Sequence, residues 1–79
     1  MSLMALVVFS CAAAADPCLP DRADVYGELV PEAACRSLPA VVAVASWARE
    51  NPDRRVARWT CVAPPDVERL IDQVLGLET

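Results

Sequence analysis

Leu3–Ala15 reads LMALVVFSCAAAA, an uncharged apolar run of 13 residues, and the identity of this run decides the fold. A membrane-spanning helix needs about 20 apolar residues, so the run is too short to cross a bilayer. A secretory leader would fit its length, and Ala13-Ala14-Ala15 before Asp16 resembles a small-residue cleavage site. However, no Lys or Arg precedes the run, and cleavage there would leave three cysteines, an odd number. A lipid anchor on Cys11, with Val8-Phe9-Ser10 as the preceding box, meets a bulky Phe9 where a small residue is usual. The reading that remains is a fully buried strand. Leu6-Val7-Val8-Phe9 is β-branched and aromatic, and Asp16-Pro17 closes the stretch downstream, so the strand is expected to stop near Cys11 or Ala12.

Working outward, Asp16 to Val30 contains Pro17, Pro20, Asp21, Asp24 and Gly27 without a sustained period. It reads as a long ordered loop over 16–30, held by Cys18 and by Leu19, Val25, Tyr26 and Leu29 as apolar feet. From Asp16 to Cys35 five acids face one base, Arg22. This is a solvated acidic segment, because calcium loops concentrate their oxygens in a tighter pattern.

Pro31-Glu32 then opens a helical run that ends at Asn51-Pro52. Pro39 should kink or restart it, with Ser37 as cap for the second half. Leu38, Val41, Val42, Ala45 and Ala48 fall at helical spacing and are expected to face the core, with Trp47 toward the edge of that stripe. Arg54 to Val62 reads as a second strand after the Asn51-Pro52-Asp53 turn, and strict alternation puts Arg55, Ala57, Trp59 and Cys61 on one face. Asp66 to Leu75 reads as a second helix, with Val67, Leu70, Ile71 and Val74 as its apolar stripe and Gly76 as its stop.

The expected architecture is therefore α+β: one small domain over 1–79 in the order β-loop-α-β-α. Its two-stranded sheet is stabilised by disulfides and open to extension in a homodimer. A helical crossover favours parallel strands, although the long loop leaves room for an antiparallel pair.

Cys11, Cys18, Cys35 and Cys61 are four cysteines in 79 residues. A chain this small hides only about 60% of its surface on folding and benefits from cross-links. Zinc sites prefer close pairs such as C-x2-C, thiol redox sites prefer C-x-x-C, and the chain has neither. Of the three connectivities, strands lying side by side favour Cys11 with Cys61 and Cys18 with Cys35. On the loop-entropy model these closures would contribute about 4 and about 3 kcal/mol.

Chemistry is narrowed by what is missing. There is no His, and all seven basic residues are Arg. The serines thus lack a His partner, and the two glycines form no phosphate loop, so no enzyme, cofactor or metal is expected. Arg49, Arg54, Arg55 and Arg58 lie within ten positions, flanked by Trp47 and Trp59, and Arg with Trp is the composition of protein–protein hot spots. The net charge of −4 argues against nucleic acid as the partner.

The leading reading is a non-enzymatic, disulfide-stabilised accessory or structural module, periplasmic, secreted or particle-borne, that binds another protein. A second reading is an acidic cytosolic or phage-encoded interaction or inhibitor protein with reduced cysteines. A third is an envelope protein anchored through Cys11.

Overall fold

The computed structural model describes residues 2–76. The run at Leu3–Ala12 is a ten-residue strand, β1, and Ala5 to Cys11 are buried without interruption. Continuous burial on both sides of a strand requires cover on both faces and neighbours at both edges. All three strands beside it run antiparallel: β2 (Arg22–Val25) and β3 (Val30–Pro31) along one edge, β4 (Arg54–Val62) along the other. The sheet is thus four-stranded within one chain, where two strands were expected. The segment 16–30, expected as loop, holds β2, and the ladder is prolonged by the amides of Asp21 and Tyr26 donating to the carbonyls of Ser10 and Leu6. Leu19, Val25 and Leu29, expected as apolar feet, are exposed; Tyr26 and Val30 pack against the core instead.

A 3-10 turn over Glu32–Arg36 leads into α1 (Leu38–Glu50), and the break between them falls at Ser37, which is extended, rather than at Pro39. Pro39 lies in the first turn of α1, where its missing N–H costs nothing. The Ser37 hydroxyl turns back and donates to Ala34 O, so it closes the 3-10 turn and makes no cap bond to α1. After β4, a 3-10 turn at Pro64–Asp66 starts α2 (Val67–Leu75), which ends at Gly76 with φ 69, a left-handed residue that favours glycine.

Alternate residues of β1 build two cores. Leu6 and Val8 face α1 and join Ala43, Val44 and Trp47, with Tyr26, Val56, Trp59 and Cys61 packed around them. Val7 and Phe9 point to the other face. That side is left to α2, which lies against β2 and offers Val67, Leu70, Ile71 and Val74, all half-buried.

The register of β4 breaks once. Phe9 pairs with Arg58 and Ser10 with Val56, so Ala57 is an extra residue and the alternation inverts there. Val56 consequently shares the α1 face with Trp59 and Cys61, whereas strict alternation had put Val56 opposite them. Antiparallel register also overturns the expected cysteine pairing. Cys61 lies beside Leu6 and Cys11 beside Arg55, five residues along β1, or about 17 Å at strand rise. The bonds formed are Cys11–Cys18 and Cys35–Cys61, which use all four cysteines.

Candidate functional site

Residues 37–48, SLPAVVAVASWA, carry no charge, so α1 has no polar face on which to settle. Two apolar stripes with the same i, i+3, i+4, i+7 spacing compete along it: Leu38, Val41, Val42, Ala45 and Ala40, Ala43, Val44, Trp47. They are offset by two residues, roughly 200° around a helix of 3.6 residues per turn, so only one can meet the sheet. The second stripe wins. Ala40, Ala43, Val44 and Trp47 are buried, while Leu38 is 71% exposed and Val41 and Val42 are each 52% exposed.

Trp47 explains the choice, because its large ring has the most area to remove from water, and two alanines let the helix backbone approach the strands. The Cys35–Cys61 bond adds a fixed constraint, tying the turn ahead of α1 to the α1 face of β4. The expectation that Leu38, Val41, Val42 and Ala45 form the core is therefore reversed, and Trp47, expected at the edge, is central. The signal in the sequence was the rival stripe ending in Trp47.

The Arg and Trp residues expected to form one partner surface are divided between faces and largely engaged within the chain. Arg54 runs along the α1 side of β4, its side chain mostly buried. Its Nε donates to Ser10 Oγ at 3.1 Å, one terminal nitrogen donates to Ser10 O at 3.0 Å, and Asp21 forms an ion pair with it. Those bonds satisfy Ser10, the one wholly buried polar side chain among the described residues. Arg55 turns to the opposite face and donates to Ala15 O at 2.7 Å. Arg58, on that face too, lies over the Phe9 ring at 5.8 Å from its centroid. Arg49 is exposed near the end of α1 and donates to Ser46 Oγ at 3.3 Å. Trp59 packs on the α1 core and lines a cleft of ≈ 300 Å³ beside the Cys35–Cys61 bond, with Met4, Glu32 and Arg36.

A second cleft of ≈ 360 Å³ lies between the C-terminal end of α1 and β2, where Arg22 pairs with Asp24 beside Tyr26, Glu50 and Asn51. Its one basic side chain is thus paired with an acid. The outer face of α1 brings exposed Leu38, Val41 and Val42 together on one apolar surface with charges only at its ends. Comparison with known proteins finds no family model, no curated protein and no solved structure that matches the chain. Among the described residues no helix is long and apolar enough to cross a membrane.

Proposed function

We propose that the chain is a small, non-enzymatic, disulfide-stabilised module that acts in an oxidising compartment by docking another protein on the outer face of α1. One observation carries the reading: a helix uncharged from Leu38 to Ala48 presents Leu38, Val41 and Val42 to water, whereas a helix that is apolar all round is normally covered. Two disulfides in so short a chain support the compartment, since glutathione and thioredoxin keep cytosolic thiols reduced. The absence of His and Lys supports a binding role over a catalytic one. Of the arginines and tryptophans expected to meet a partner, Arg49 is the one placed at the end of this face.

The test is intact mass after thiol alkylation, with and without prior reduction, on protein from its native source. No labelling before reduction and four labels after it are expected. Four labels without reduction would overturn the reading in favour of a cytosolic interaction protein, and a mass beginning at a modified Cys11 would point to a lipid anchor.

A further inference from the structure

The two disulfides sit in unlike surroundings. Cys11 is 0% exposed and Cys18 is half-buried, so solvent meets that bond from the Cys18 side alone. Cys35 and Cys61 are both half-buried and both line the ≈ 300 Å³ cleft beside Trp59, which opens their bond to small solutes at either sulfur. The backbone around the two bonds is held differently as well. The loop carrying Cys18 is pinned on both sides: the Ala13 amide donates to Asp53 O, Arg55 donates to Ala15 O, and the Asp21 amide donates to Ser10 O. The 3-10 turn carrying Cys35 contains no buried residue, and Glu32, Ala33 and Arg36 within it are exposed.

Thiol–disulfide exchange needs a thiolate to reach one sulfur and the displaced sulfur to depart. At Cys18 the displaced sulfur is that of Cys11, fixed in the sheet beside a pinned loop, so it attacks back and closes the bond again. At Cys35 or Cys61 the turn can swing away without exposing a buried side chain, and the mixed disulfide survives until a second thiol completes the reaction. The longer closure of Cys35–Cys61 stabilises the fold by restricting the unfolded chain, which leaves the order of opening in the folded chain to access and reclosure.

We propose that Cys35–Cys61 is a redox-sensitive switch, opened by a small dithiol in the folded chain while Cys11–Cys18 stays closed. One thiolate of the dithiol attacks Cys35 or Cys61, breaking the S–S bond and forming a mixed disulfide. The second thiolate closes the reagent into a cyclic disulfide and releases the remaining cysteine. Two electrons pass from the dithiol to the bond, and its two protons end on Cys35 and Cys61. Opening frees the turn ahead of α1 from β4, while the sheet and the Trp47 side of α1 keep their packing.

Dithiothreitol is the probe. The full oxidised chain is exposed to it without denaturant and quenched with iodoacetamide at intervals, and the labelled cysteines are located by peptide mass. A species labelled at Cys35 and Cys61 is expected to form at least about tenfold faster than label enters Cys11 and Cys18. In that species trypsin is expected to cut after Arg36 at least about fivefold faster than in the oxidised chain, with far-ultraviolet circular dichroism retained. Arg55→Ala removes one pin from the Cys18 loop and is expected to speed labelling of Cys11 and Cys18 about threefold, leaving Cys35 and Cys61 unchanged. Equal rates at the two bonds, earlier labelling of Cys11 and Cys18, an Arg36 site no faster in the intermediate, or an Arg55→Ala chain that opens like the wild type overturns the switch. No partner enters the measurement, so the docking reading stands or falls apart from it.

Discussion

The two helices carry apolar residues at the same spacing and use them in opposite ways. In α2, Val67, Leu70, Ile71 and Val74 form the single stripe, Glu68, Arg69 and Asp72 take other positions, and the stripe turns to the sheet. In α1, Leu38, Val41, Val42 and Ala45 form a stripe of equal regularity that turns to water. The difference is the opposite face: α2 offers charges there, whereas α1 offers Ala40, Ala43, Val44 and Trp47. A periodic stripe identifies the buried face only when its rival is polar. When both are apolar, the bulkiest side chain and the tethers at the helix ends decide.

Substitutions on α1 should therefore sort by side of the helix, with Trp47 the most sensitive position. Trp47→Ala is expected to cost about 3–5 kcal/mol in urea unfolding. A cost under about 1 kcal/mol would mean that Trp47 does not anchor α1.

The disulfides sharpen the same contrast, since one fixes the approach to α1 and neither touches α2. Replacing Cys35 and Cys61 together by Ser is expected to cost roughly 3.5 kcal/mol, and replacing Cys11 and Cys18 together roughly 2.4 kcal/mol, because the longer closure restricts the unfolded chain more. Denaturation midpoints of the two double variants check the order, and an inverted order would shift the weight of the fold toward the loop after β1.

At the far end of α2, Gly76 is the smallest expected effect. Gly76→Ala has open space around it but a left-handed backbone, so a loss of about 1 kcal/mol is expected from strain alone. A thermal shift that leaves the midpoint unchanged would show that the C-terminal turn of α2 frays freely.

Much of the architecture was legible in local sequence. Leu6-Val7-Val8-Phe9 announced a buried strand, Pro52 and Pro64 framed β4 at Arg54–Val62, and Gly76 marked the end of α2. Features set by long-range register were not legible. β2 is four residues of Arg, Ala, Asp and Val whose strand character comes from the β1 edge they pair with, not from their own pattern. The cysteine partners followed from antiparallel pairing, which no local signal encodes, and the inversion at Ala57 is a one-residue bulge that mixed the apolar and charged positions of β4. For the candidate site, Arg49, Arg54, Arg55 and Arg58 were visible as a cluster, but Ser10, Asp21, Ala15 O and the Phe9 ring, which engage three of them, lie more than thirty positions away in the chain.

The helix α1 faces the sheet with Val44 and the solvent with Val42. The direct measurement is urea unfolding of Val44→Asp and Val42→Asp, at concentrations dilute enough to keep the chain monomeric. Val44→Asp is expected to lose at least about 3 kcal/mol or fail to fold, because it buries a charge without a partner, while Val42→Asp is expected to stay within about 0.5 kcal/mol of the wild type. The reverse order, with Val42→Asp the damaging change, would contradict it and return Leu38, Val41 and Val42 to the core.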